Sequence, residues 1–302
     1  MLLPYLALST ISNGRILALV EGLSTCERLQ CDTTVGYGGS PDESGETTLD
    51  ALIVDGLGVR MGAVANLHRV KDAAKVAWAI MNYTKHTMLV GEAATKFAIQ
   101  MGFKEETLTT NVSKKMMDMW KTNNCQPNFW QNVSPNPEYS CGPYKPVNQT
   151  YIGKNKKRFI DRFHHDTIGM VIIDSDRNVT AGTSTNGARY KIPGRVGDSP
   201  IPGSGAYALE GVGGAAATGD GDIMMRFLPS YQTVDWMRKG TKPVKAARKT
   251  LQTIIEINPK FQGAIIAADV NGRFGAACAN LGIFKYSIGE KGKTRVESVP
   301  CI

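Results

Sequence analysis

The stretch His165-Asp166-Thr167-Ile168-Gly169-Met170-Val171-Ile172-Ile173 decides the fold. From Thr167 onward it is apolar on both alternating faces, the pattern of a strand covered on both sides, and it predicts a strand in the middle of the fold. Asp174-Ser175-Asp176-Arg177 supplies a turn, and Asn178 to Thr185 returns as a second strand, so the two form a hairpin. Thr167 stands first in that hairpin, directly after a stretch of weak periodicity, where a new N-terminus could be made. A threonine hydroxyl is a weak nucleophile, but an N-terminal threonine carries its own base, an α-amino group with a pKa of about 8. Taken alone, Thr167 reads better as a β-branched residue opening a strand.

Upstream, residues 104–165 carry prolines 127, 135, 137, 143 and 146 and the basic run Lys154 to Arg158. They read as a surface linker. The basic run lacks interleaved aromatics, so nucleic acid is not expected as a partner. Further upstream, Leu49 to Val54 predicts a strand, Val70 to Met81 a helix, and Met88-Leu89-Val90 a strand end leading into a second helix. Downstream, Ala215 to Leu228 and Pro243 to Ile255 predict helices, and Gly263 to Val270, Phe274 to Ala279 and Ile283 to Ile288 predict strands. Hairpins segregated from helix pairs indicate a layered α+β sandwich rather than a doubly wound sheet.

Composition bounds the remaining possibilities. The 302 residues are 42% hydrophobic and 21% charged, which excludes collagen-like, coiled-coil and wholly disordered chains. The 35 basic against 27 acidic residues give a formal charge of +8, a lean toward anionic partners or simply a solubility device. No apolar run approaches the roughly 18 to 20 residues of a membrane span. The six cysteines fall into three local sets, Cys26 with Cys31, Cys125 with Cys141, and Cys278 with Cys301, an even count that favours three bridges over six reduced core thiols. No Cys-x-x-Cys occurs and the four histidines bracket no cysteine pair, so no metal site is expected. Asn82, Asn111, Asn132, Asn148 and Asn178 each open an Asn-x-Ser/Thr acceptor, which favours a secretory-pathway protein. The signal peptide that should accompany them is poor: Met1 to Leu8 is short, contains Pro4 and has no basic residue before it. Gly203-Ser204-Gly205 and Gly211 to Gly214 lack the Lys-Ser/Thr and the strand-to-helix order of phosphate loops. No Gly-x-Ser-x-Gly or His-Glu-x-x-His is present.

Three further segments change the weight of Thr167: Thr183-Ser-Thr-Asn-Gly187, Gly194-Arg-Val-Gly-Asp-Ser-Pro-Ile-Pro-Gly203 and Ala215-Ala-Ala-Thr-Gly-Asp-Gly-Asp222. With them, from about Cys26 to the C-terminus, the chain resembles the glycosylasparaginase (aspartylglucosaminidase) family of N-terminal nucleophile hydrolases. The Cys26 to Cys31 loop, the Arg195 to Asp198 string and the segment Asn123-Asn-Cys-Gln-Pro look like that branch rather than plant-type asparaginases or isoaspartyl peptidases. The resemblance implies a four-layer αββα sandwich, one domain over 1–302 cut at Asp166-Thr167 into parts 1–166 and 167–302. Thr167 would be the nucleophile and Asp166 would assist the cut. Thr185 would hydrogen-bond the nucleophile's amino group. Arg195 and Asp198, with Val196 and Gly197 between them, would hold the substrate's α-carboxylate and α-ammonium. Thr218 and Gly219, at the start of a helix, would form the oxyanion hole, with Asp220 and Gly221 completing the substrate loop. The substrate would be a small glycosylated asparagine, no cofactor would be needed, and the compartment would be the lysosome. The cut pieces would form an αβ heterodimer pairing into a heterotetramer. Rivals are a β-aspartyl peptidase or asparaginase on the same fold, and an inactive homologue.

Two departures from the family stand out. Relatives begin with an additional strand and the front half of a helix, whereas residues 1–14 match neither. The expectation is a start downstream of the natural one, at a cost in stability and with an opened pocket. A fourth cysteine pair common in animal relatives is replaced here by Ala247 and Ala267.

Overall fold

The computed structural model describes residues 14–147, 167–290 and 292–302. Asp166, Asn148, the basic run at 154–158 and residues 1–13 therefore lie outside the described residues. Helix α1 (Gly14–Leu29) buries a stripe of Ile16, Leu19, Val20, Leu23 and Cys26 at helical spacing. Strands β1 (Leu49–Asp55) and β2 (Arg60–Leu67) form a hairpin, followed by α2 (Ala73–Tyr83), β3 (Met88–Val90) and α3 (Gly91–Gln100). Then come α4 (Asn111–Thr122), the short strands β4 (Val133–Ser134) and β5 (Lys145–Pro146), and the central hairpin β6 (Ile168–Ile173) and β7 (Val179–Thr185). The rest runs β8 (Ala206–Leu209), β9 (Gly213–Gly219), α5 (Gly221–Met224), α6 (Pro229–Arg238), α7 (Pro243–Ile257), β10 (Gly263–Asp269), β11 (Phe274–Ala279), β12 (Ile283–Glu290) and β13 (Lys293–Pro300).

Two sheets dominate, ordered β3-β2-β1-β7-β6 and β11-β10-β9-β8. Their side chains alternate between two packing zones, as the strand period requires. In β1, Ala51 and Ile53 face the helices while Leu52 and Val54 face the other sheet. Helices α1, α2 and α3 cover the first sheet, α6 and α7 cover the second, and the cluster around Leu52, Val54, Val179, Ala181, Ala208 and Ala216 lies between the sheets. This is a layered αββα sandwich, the predicted α+β class. All three predicted disulfides form, with Cα atoms 4.9, 5.0 and 4.6 Å apart. No helix among the described residues is long and apolar enough to cross a membrane.

Several local readings need correction. Ala215 to Leu228 is not one helix: it is strand β9, then the short α5 and a connecting turn. Three alanines read as helix formers, but β9 is paired on both sides and buried, so tertiary packing overrides propensity. Strand β6 is covered on both faces as expected, by α1 on one and the second sheet on the other, and among the described residues it pairs with β7. Within 104–165, α4 opens with a reciprocal Thr110–Ser113 capping box and buries Met117 and Trp120. Trp120 stacks on Tyr190 at 5.0 Å, tying this segment to the loop after β7. Helix α6 and strand β13 were not anticipated.

The sheets meet through small residues. A Cβ at Gly169 of β6 would lie 2.9 Å from Ala216 Cβ of β9, and one at Gly214 would lie 3.0 Å from Val171 and 3.1 Å from Val179. We expect Gly169→Val to force β6 and β9 apart and lower unfolding stability by about 1–3 kcal/mol, measured by urea denaturation. Unchanged stability would contradict this account of the interface.

Candidate active site

Thr167 immediately precedes β6 and is buried. Residues 169, 171 and 173 of that strand face the second sheet, and the alternation puts Thr167 on the same face. The Thr167 hydroxyl lies 3.0 Å from the Ser199 hydroxyl. The register pairs Ile168 with Ser184, so Thr167 stands beside Thr185, the last residue of β7. The Thr185 hydroxyl donates to Thr34 O at 3.2 Å and accepts from Gly187 N at 2.9 Å. Thr34 is braced in turn: its backbone N–H and hydroxyl donate to Asp32 Oδ1, just after the Cys26–Cys31 bridge.

Thr218 enters from the opposite sheet. Its hydroxyl is buried without a hydrogen-bond partner among the described residues, and it lines a cleft of about 100 Å³ with Thr167, Ala216 and Tyr286. Thr218 and Gly219 thus lie at the end of a strand, not at the start of a helix, which corrects the sequence reading. Gly219 has φ of +146°, and a Cβ there would lie 2.5 Å from Gln262 O, so only glycine fits. Asp220 is committed to capping α5, its side chain accepting from Ile223 N at 3.2 Å.

The loop between β7 and β8 brings the charged groups together. Arg195 forks onto Asp222, with Nη2 at 2.8 Å and Nε at 3.2 Å from Oδ2. Burial alone would lower the basicity of Arg195, but Asp222, Asp50 and Asp198 outweigh it and raise its pKa. Asp198 is buried, and Oδ2 has no hydrogen-bond partner among the described residues. Burial pushes its carboxyl up to about 7 even though Arg195 pulls the other way. Gly197 and Gly221 leave room for these groups: a Cβ at Gly197 would lie 2.9 Å from Arg195 Nη1, and one at Gly221 would lie 2.7 Å from Asp198 Oδ1. Val196 is partly buried between them. The cleft thus holds a hydroxyl pair, and the Thr167–Ser199 contact joins it to the loop that carries a cation and a carboxyl with an oxygen unpartnered among the described residues. Such a set suits a small zwitterionic amino acid next to a hydroxyl nucleophile.

The profile of the family described as Asparaginase matches residues 7–297. The chain belongs to the asparaginase family. Among its relatives, a putative N(4)-(beta-N-acetylglucosaminyl)-L-asparaginase of Drosophila yakuba is 57% identical over 294 residues, covering 94% of this chain and 74% of the relative. The N(4)-(Beta-N-acetylglucosaminyl)-L-asparaginase of Rattus norvegicus is 53% identical over 275 residues, covering 91% and 80%. Within this asparaginase-family site, Ser199 and Asp222 escaped the sequence reading. Both stand next to residues it had chosen, in Asp198-Ser199 and Gly221-Asp222. Thr34 acts through its backbone carbonyl, for which a side chain gives no signal.

Glu27 also escaped it. Buried on α1, it accepts from the Ser184 hydroxyl at 2.6 Å, one residue before Thr185, and from Ala74 N at 3.0 Å at the start of α2. Burial pushes its carboxyl from 4.5 up to about 7. Because the folded state holds this proton more tightly than the unfolded chain, the stabilisation is full below pH 4.5 and lost as pH rises through 7. At its largest this amounts to about 3 kcal/mol. Glu27→Gln should flatten the fall of unfolding free energy across that range, and an unchanged slope would contradict the assignment.

Proposed function

We propose that this chain is an amidohydrolase that cleaves the amide bond joining N-acetylglucosamine to asparagine, with Thr167 as an N-terminal nucleophile made by self-cleavage of the Asp166-Thr167 bond. The observation that carries this reading is the buried Thr167 hydroxyl, which shares a cleft with a Thr218 hydroxyl unpartnered among the described residues and touches Ser199, next to Asp198 in the Arg195 loop. The names of relatives more than half identical support the substrate.

On this reading the α-amino group of Thr167 takes the hydroxyl proton as the oxygen attacks the side-chain amide carbon. The Thr218 hydroxyl and Gly219 N–H receive the developing oxyanion. The amide nitrogen takes the proton and leaves as the sugar amine, and water then hydrolyses the β-aspartyl ester to free aspartate and restore Thr167. Arg195 holds the α-carboxylate and Asp198 the α-ammonium, so both ends of the asparagine must be free. That requirement suits late glycoprotein breakdown, and hence a lysosome. The pieces 1–166 and 167–302 would stay together as an αβ unit and pair into a heterotetramer.

N-terminal sequencing of the expressed chain should yield a fragment beginning at Thr167, and Thr167→Ala should remain uncut and inactive on a chromogenic N-acetylglucosaminyl-asparagine analogue. An uncut, inactive wild-type chain would refute the reading. Faster hydrolysis of an isoaspartyl dipeptide would assign the same machinery to β-aspartyl peptides instead. The raised pKa of Asp198 gives a second expectation. At about pH 6 the free site holds a proton there, and an ammonium group must displace it. Calorimetry of aspartate binding in buffers of different ionisation heat should therefore register proton release. Its persistence in Asp198→Asn would rule out this role.

A further inference from the structure

Near the partly buried Arg195 lies a fully buried cation that the mechanism above does not use. Lys191 is among the largest fully buried side chains of the protein. Its ammonium donates to Asn186 O at 2.9 Å. It also stands close to Arg195: a Cβ at Gly187 would lie 3.0 Å from Lys191 Nζ and 3.2 Å from Arg195 Nη1. The opposing charge is Asp50 of β1, fully buried and paired in register with Thr185. Asp50 accepts from Asn66 N at 2.6 Å through Oδ1, while Oδ2 has no hydrogen-bond partner among the described residues. Burial pushes the Lys191 ammonium below and the Asp50 carboxyl above their ordinary ranges, and each offsets the other.

Lys191 and Asp50 make no direct salt bridge, and two opposite charges buried near each other are a poor device for stability, because apolar side chains of similar volume would usually do as well or better. Their position suggests another use. The carbonyl that Lys191 holds belongs to Asn186, and the next N–H, that of Gly187, donates to the Thr185 hydroxyl. Thr185 gives its own proton to Thr34 O, so it meets any further donor as an acceptor. An acceptor beside Thr167 can orient an amino group by taking one of its N–H bonds, leaving the nitrogen lone pair to act as base.

We propose that Lys191, with Asp50 as its counter-ion, is a positioning residue for the reaction, fixing the Asn186–Gly187 turn so that the Thr185 hydroxyl is aimed as an acceptor at the nucleophile. It acts through Thr185, and it rests on the reading of Thr167 as the nucleophile. Arg195 has its own anchor in Asp222, so the carboxylate-binding half of the site does not depend on Lys191.

The test compares wild type, Lys191→Met and the double variant Asp50→Asn with Lys191→Met, each purified as the full chain. Fragment sequencing, urea denaturation, and kcat and KM on the chromogenic analogue are measured for each. The double variant removes both buried charges and should recover whatever stability the single variant loses. The expected result is a kcat at least about tenfold down in both variants, with KM within about twofold of wild type. A folded double variant with wild-type kcat overturns the proposal. So does a change confined to KM, which would place Lys191 in carboxylate binding. If neither variant folds, Lys191→Arg keeps the charge and must retain more kcat than the conservative Thr185→Ser, or the proposal falls. An inactive wild type, uncut at Thr167, refutes the nucleophile reading itself and the positioning role with it.

Discussion

The site depends on how closely the two sheets approach one another between β6 and β9. With glycine at 169 and 214 and alanine at 216, the backbones come near enough for Thr167 and Thr218, on facing strands, to line one cleft. Strand alternation makes this exacting. A one-residue slip of β6 against β7 would turn Thr167 toward α1 and bring Ile168 into the cleft. Val171 and Ile173, packed between the sheets, and Met170 and Ile172, packed under α1, resist that slip because each would have to exchange environments.

Around this apolar frame the chain buries an unusual number of charged groups. Asp198 and Lys191 in the loop after β7, Asp50 in β1 and Glu27 in α1 are buried, and Arg195 is partly buried. Burial works against each of these charges, and the neighbours only partly compensate. Two of the carboxyls, Glu27 and Asp198, are pushed up to about 7, so the folded state is favoured on the acid side of neutrality. The open oxygen of Asp198 and the Thr218 hydroxyl are costly to leave unpaired in a native protein. On the proposed reading a substrate would supply the missing partner to each, which gives these groups more weight than Asp220, already bonded to Ile223 N.

Much of this was legible in the sequence, for reasons that can be named. The β6–β7 hairpin follows from period-2 apolarity around a turn, and α7 from its apolar stripe. The disulfides follow from three local cysteine pairs. Strand β9 was misread because alanine propensity favours a helix, while what selects alanine there is the narrow space between layers. Helix α4 was missed because the prolines after it dominate the composition, although Thr110-x-x-Ser113 and the Met117–Trp120 spacing mark its start and its buried face. Asp222, Lys191 and Asp50 could not be assigned in advance, because their meaning comes from partners brought together only by the fold.

The same topology bears on whether a chain cut before Thr167 could survive the cut. Residues on either side of that point share one sheet: β1 pairs with β7 from Asp50–Thr185 to Asp55–Thr180, and α1 packs across β6 and β7 through Leu19, Leu23 and Met170. Breaking one peptide bond removes none of these contacts. What it changes is the unfolded state, where two pieces gain freedom that one chain lacks. A cut form would thus keep its native geometry while becoming harder to reassemble once opened. Buried ties such as Glu27 to Ser184, which join α1 to the strand beside Thr167, then matter more to the persistence of the fold around it than their number suggests.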